Sequence, residues 1–141
     1  MKILTTVLFA TAFAVIGCSK DSSNINDPYF STDSVTVPIG QCITKKYKGD
    51  TTITYCLDSI NDSRCPDNAV CIWQGYAAAK MNLTINQVTH KVILNTPISY
   101  PPFTNDTTIA GFRFKLVDVT PYPTLPQTNT NKSAIVKVIR L

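Results

Sequence analysis

Five cysteines, one histidine and nine acidic side chains, every one of them an aspartate, are the groups through which this 141-residue chain could do covalent or acid–base chemistry. Cys18 stands apart from the other cysteines. Lys2 leads into an apolar run over residues 3–16, and Val15-Ile16-Gly17-Cys18 closes it with a small residue ahead of the thiol. One early positive charge, a short apolar segment and a small residue at the junction are the marks of an export signal cut just before a cysteine, whose thiol then carries acyl chains. The run is too short for a stable helical span, which needs roughly 17–25 residues. Residues 1–17 are therefore expected to be removed, Cys18 to be lipidated, and a lipid membrane to be the first partner of the mature chain.

With Cys18 assigned to lipid, Cys42, Cys56, Cys65 and Cys71 form an even set in an oxidising compartment, where disulfides are the natural outcome. Four cysteines allow three pairings. Gly49-Asp50 reads as a hairpin turn between residues 42–48 and 51–57, and a two-residue loop there sets Cys42 nearly opposite Cys56. Pro66-Asp67-Asn68 opens a short, turn-rich loop that a local Cys65–Cys71 bridge would close. Zinc is disfavoured, because structural sites use C-x₂₋₄-C pairs, whereas Cys65 and Cys71 lie six apart and His90 is the sole imidazole. A thioredoxin-like role lacks its C-x-x-C. His90 reads as an ordinary strand residue, Asp118 as a turn cap, and the remaining aspartates fall in scattered turn contexts. No catalytic residue, metal or cofactor is expected, and the chain does not read as an enzyme.

The elements that must position these side chains are strands. Glu is absent, Thr is the commonest residue, and Ile and Val are abundant, a composition that disfavours helix and suits pleated sheet. Val35, Val37 and Ile39 alternate with Thr36 and Pro38. Ile53, Tyr55 and Leu57 alternate with Thr52, Thr54 and Cys56. The longest period-two signal runs from Trp73 through Gly75, Ala77, Ala79, Met81 and Leu83 to Ile85, which predicts one strand with one buried face, Trp73 included. Residues 86–89 turn into a partner strand from about His90 to Asn95. Phe112, Phe114 and Leu116 give another strand and residues 134–141 the last, while residues 96–108 and 120–133 read as irregular Pro-rich loops. The expected fold is all-β: a single antiparallel β-sandwich of six to seven strands over residues 35–141, with an Ig-like form or a small barrel as alternatives. Residues 18–34 hold few apolar groups and read as a solvated tether. The net charge of +4, with no basic run longer than Lys45-Lys46, gives no case for nucleic acid.

Residues 62–77 read Asp-Ser-Arg-Cys-Pro-Asp-Asn-Ala-Val-Cys-Ile-Trp-Gln-Gly-Tyr-Ala. This resembles a D-S-R-C-P…C-x-W-x-G-x-A pattern of small uncharacterised bacterial lipoproteins and secreted domains. With Gly40-Gln41 and Val119-Thr120-Pro121 the likeness spans most of residues 35–141, and it implies no activity. Cys42 and Cys56 depart from the common form, so their bridge rests on spacing alone. Physically the motif reads as a fold determinant: Asp62 or Ser63 accepts backbone N–H groups, Arg64 pairs with Asp62 or Asp67, and Gly75 gives the strand room. Ser19 after Cys18 resembles outer-membrane lipoproteins, whose domain faces the periplasm or the exterior. The expected activity is that of a membrane-anchored envelope module with a protein or polysaccharide ligand. The alternative is an inhibitor that blocks a hydrolase through Pro-aromatic loops. Tyr100, Phe103 and Tyr122 in those loops, with Arg64, are the candidate ligand surface.

Overall fold

The computed structural model describes residues 32–97, 105–126 and 131–141. Eight strands run β1 Thr32–Pro38, β2 Cys42–Tyr47, β3 Thr51–Asp62, β4 Ala77–Ile85, β5 Val88–Asn95, β6 Asp106–Ile109, β7 Phe112–Thr120 and β8 Ser133–Arg140. They form two antiparallel four-stranded sheets, ordered β1-β8-β7-β6 and β2-β3-β4-β5, which pack face to face as a β-sandwich. Alternation dictates what meets between them. Ile53, Tyr55, Leu57, Ala79, Met81, Leu83 and Leu94 face inward from one sheet; Val35, Val37, Phe112, Phe114, Leu116, Val136 and Val138 answer from the other, all of them buried. The Tyr55 ring meets Phe114 edge-on at 6.1 Å, and its hydroxyl hydrogen-bonds that of Tyr47 at 2.8 Å. Burial, followed by that hydrogen bond, pushes the Tyr55 phenol far above its usual range.

Several sequence expectations are corrected here. Among the described residues there are eight strands rather than six or seven, because Asp106–Ile109 pairs with Arg113 and its neighbours in β7 within what reads as an irregular loop. Only the tight Ala110-Gly111 turn, both residues at positive φ, makes so short a strand possible. β1 opens at Thr32, ahead of Val35, where Asp33 accepts from Lys45 at 2.9 Å. The β4–β5 turn is only Asn86-Gln87, again both at positive φ. Between β2 and β3 the loop is Lys48-Gly49-Asp50, one residue longer than expected, so Tyr47 faces Thr51 and Cys42 faces Cys56 directly. Cys42 and Cys56 are bridged at a Cα separation of 4.1 Å. Replacing both with serine is expected to cost about 3 kcal/mol, from the chain entropy released in the unfolded state, read as a lower urea midpoint than the wild type.

Two β-bulges, one in each sheet, decide what happens at the far end. The pairing of β3 with β4 shifts between Leu57 and Ser59, and that of β7 with β8 between Leu116 and Asp118. Each extra residue reverses the alternation beyond it. In β3 this turns Asp62 toward the interior, opposite buried Ala77; in β7 it buries Val119 and leaves Val117 43% exposed.

Candidate functional site

The bulges converge on the corner between β3 and β4, residues 62–77. Beyond Asp62 the two chains stay in register without forming regular strand: Ser63 N donates to Tyr76 O at 2.9 Å and Cys65 N to Gln74 O at 2.8 Å. Gly75 makes this possible. Its φ is +68°, and a Cβ placed there would lie 1.9 Å from Ser63 O. Pro66 starts a turn in which Ala69 N donates to Pro66 O at 3.1 Å, and the Cys65–Cys71 disulfide, Cα separation 5.9 Å, closes it.

Arg64 is the hub. Its Nε and Nη2 donate in parallel to the two carboxylate oxygens of Asp62, each at 2.8 Å. Nη1 donates to Asp118 Oδ1 and Nη2 to the Val119 carbonyl, both at 2.7 Å. Lys132 Nζ donates to Asp62 Oδ2 as well. The Asp62 side chain is only 2% exposed and that of Arg64 only 5%. Two cations thus meet two carboxylates, which spares the interior an uncompensated charge. Burial opposes the charge on Asp62, but the hydrogen bonds from Arg64 and Lys132 outweigh it and hold its carboxyl below the ordinary range. Tyr122 covers the group, its ring centroid 4.4 Å from the Arg64 guanidinium carbon. Because Asp62 and Arg64 belong to one sheet's corner and Asp118, Val119 and Lys132 to the other sheet, the cluster bolts the two sheets together at this end.

A second loop buttresses the first. Asp67 N donates to Pro123 O at 3.0 Å, Asn68 Nδ2 to Leu125 O at 2.7 Å and Leu125 N to Asn68 Oδ1 at 2.8 Å. On this braced platform Val70 and Ile72 are fully exposed, at 103% and 107%, with Trp73 at 65% and Leu125 at 54% beside them. A hydrated Val or Ile forgoes about 1.5–3 kcal/mol that burial would supply, so Val70 and Ile72 are apolar side chains left in water at this corner.

The expected residues fall out as follows. Both disulfides pair as read. Arg64 takes Asp62 as partner rather than Asp67, and it is not on an exposed surface: its guanidinium is committed to internal acceptors. Trp73 does not enter the core, because the left-handed Gly75 breaks the strand and β4 begins only at Ala77. Tyr122 is 41% exposed and, with Asp118, borders a shallow depression of about 230 Å³ beside Arg64. Asp118 caps its own chain, accepting from Val119 N at 2.7 Å. His90 sits half-buried on β5. Cys18, Tyr100 and Phe103 lie outside the described residues. Sequence reasoning missed Lys132, whose partner is 70 positions away, and the pair Val70 and Ile72, whose signal was two β-branched residues flanking a cysteine in a turn-rich loop.

Fold and corner together define a two-sheet β-sandwich with one disulfide-stapled, charge-bolted end. No family model, curated protein or solved structure matches the chain.

Proposed function

We propose that this protein is a lipid-anchored module of the cell envelope, held to the outer membrane through acylated Cys18, that binds a macromolecular partner without turning it over. The observation that carries the binding reading is the position of the stapled corner. The chain enters β1 at Thr32, beside Ile139, while Ile39 N bonds Lys132 O at the other end of that strand, next to Asp62. Seven residues of strand, about 20 Å at the rise of extended chain, therefore separate the point of tethering from the corner. Anchoring through Cys18, ahead of Thr32, would leave the exposed apolar tip at the pole facing away from the membrane. The likeness of residues 62–77 to the D-S-R-C-P pattern of bacterial lipoproteins supports the same reading, as does the signal before Cys18.

Fractionation tests the anchor. Wild-type protein is expected in the membrane pellet as a chain beginning at acylated Cys18, and Cys18→Ala in the soluble fraction; a Cys18→Ala protein still acylated and membrane-bound would sink the proposal. Turnover of any member of a panel of esterase, glycosidase and peptidase substrates would show the non-catalytic part to be wrong.

The second reading, an inhibitor of an envelope hydrolase, is favoured by one observation: the Pro-rich loop carrying Tyr122 and Leu125 braces a protruding neighbour. In that reading the loop supports the contact surface, and the tip of the 65–73 segment supplies it.

A further inference from the structure

We infer that the outer face of the β2-β3-β4-β5 sheet, at the end away from the stapled corner, holds a site for a neutral, hydroxyl-rich sugar chain. The site is an open depression of about 390 Å³ lined by Asp50, Thr52, Thr54, Thr84, Asn86 and Gln87. It is separate from the exposed residues 70–73 and does not depend on what they do.

Strand register builds it. Thr44 stands opposite Thr54, Thr54 opposite Thr84, and Thr84 opposite Thr89. A rank of threonines thus crosses all four strands, about 14 Å from end to end at the usual strand spacing. Ile53, Tyr55, Leu83 and Ile85 are buried, so alternation turns Thr54 and Thr84 outward. The hydroxyls of Thr44 and Thr54 share a hydrogen bond at 2.9 Å, as do those of Thr84 and Thr89 at 2.9 Å. Each pair spends one O–H on itself and keeps the other, with lone pairs left on both oxygens. The pairing also holds the oxygens in place before a ligand arrives, which lowers the ordering cost of binding.

The turns at the rim carry the second observation. Asn86-Gln87 joins β4 to β5 with φ of +47° and +72°, the geometry that favours Asn followed by Gly. Asn86 obeys that preference and Gln87 breaks it. A side chain at φ +72° is a standing cost that glycine would remove, and the side chain so retained is one that lines the depression. Asp50, at φ +54° in the β2–β3 loop, lines it from the neighbouring turn. Costly local conformations gathered at one rim, each keeping a polar side chain there, point to a site.

The lining selects the chemistry of the ligand. Hydroxyls and carboxamides both donate and accept, as sugar hydroxyls do, and the threonine methyls offer apolar patches to the C–H face of a ring. Asp50 only accepts, and as the one charged group among the described lining residues it opposes an anionic ligand. Those residues include no aromatic or large aliphatic side chain, whereas protein partners are held by such anchors.

The test uses the full mature chain, solubilised from its native membrane in a detergent without a sugar headgroup, in affinity electrophoresis through gels containing starch, mannan, xylan, galactomannan or β-glucan. Wild type is expected to be retarded by at least one of them. Thr54→Val with Thr84→Val removes two outward hydroxyls and is expected to weaken retention on the order of tenfold. Gln87→Gly is expected to weaken it too while raising the urea midpoint, a combination that a purely structural turn residue would not give. Ile72→Asp, at the other end of the sandwich, is expected to leave retention unchanged. A parallel arm sediments the protein with phosphatidylethanolamine vesicles, with and without digalactosyl diacylglycerol. Binding that needs the glycolipid and weakens in Gln87→Gly places the sugar on a membrane lipid, and binding in the gels alone places it on a free polysaccharide; both uphold the inference. It is overturned if neither gels nor glycolipid vesicles hold the wild type, or if the variants at positions 54, 84 and 87 bind as the wild type does. Retention lost with Ile72→Asp would move the ligand to the stapled corner and overturn it equally.

Discussion

Arg64→Met is expected to cost about 3–5 kcal/mol, the penalty for removing one partner from a buried ion pair, against the total of about 5–15 kcal/mol that a domain of this size commands. Differential scanning calorimetry would register it as a fall in Tm of about 15–30 °C. Asp62, its side chain 2% exposed, would be left with Lys132 as its cationic partner, and Asp118 and the Val119 carbonyl would lose the bonds from Arg64, Asp118 keeping the one from Val119 N. Arg64→Lys is expected to rescue little, since one ammonium cannot serve both Asp62 oxygens in parallel and reach the other sheet. Removing the charge together with its partner, in Arg64→Met with Asp62→Leu, is expected to recover part of the loss, because the desolvated carboxylate goes too. A pH series adds a second readout. The folded Asp62 carboxyl sits below the ordinary value of 3.8, so the unfolded chain takes up its proton first as pH falls. The stabilisation is complete above about pH 5 and is lost as pH drops through 3.8 toward the folded value. Without Arg64 the hydrogen bonds that hold this carboxyl down are largely gone, and the melting temperature of the variant is expected to fall less steeply with acid than that of the wild type.

Gly75→Ala is the second large effect, expected at about 3 kcal/mol or more. Two costs combine: a left-handed residue with a side chain, about 1–2 kcal/mol, and overpacking, about 1–3 kcal/mol. The clash is severe because a Cβ at Gly75 would lie 1.9 Å from Ser63 O and 2.7 Å from Ser63 C, backbone that cannot retreat while Ser63 N is bonded to Tyr76 O and Arg64 is clamped. Gly40→Ala separates the two costs. Gly40 has φ +73° with nothing within 4 Å of its would-be Cβ, so that substitution is expected to cost only about 1 kcal/mol. Urea unfolding of both variants checks the difference; equal costs would show that backbone conformation alone matters at Gly75.

Local alternation made the sandwich readable. Ile53-Tyr55-Leu57 and Phe112-Phe114-Leu116 announce their buried faces, and a hairpin centred near Gly49 was enough to pair Cys42 with Cys56. The same alternation misled wherever the backbone broke its period. Trp73 shares the parity of Ala77 and Ala79 and yet lies outside, because a left-handed glycine intervenes. Past Leu57 and Leu116 the bulges invert the pattern, so the residues that look core-facing and those that are core-facing exchange places. The charge cluster was half legible. Asp62 is two residues from Arg64 and could be guessed; Asp118 and Lys132 are brought in only by the packing of one sheet on the other, which no short window contains.

Under the proposed anchoring through Cys18, the strand that the chain enters at Thr32 has a mechanical consequence. In an antiparallel pair the hydrogen bonds run across the strands, and β1 lies beside β8 over its full length, from Thr32 opposite Ile139 to Pro38 opposite Ser133. A partner held at the stapled tip and a membrane holding the other pole would pull along that axis. The load would then act as shear on the whole β1–β8 ladder at once, every rung resisting together, where a pull from the side would open them one after another. The sandwich is thereby strongest along the line on which an anchored protein gripping something distant would be stretched.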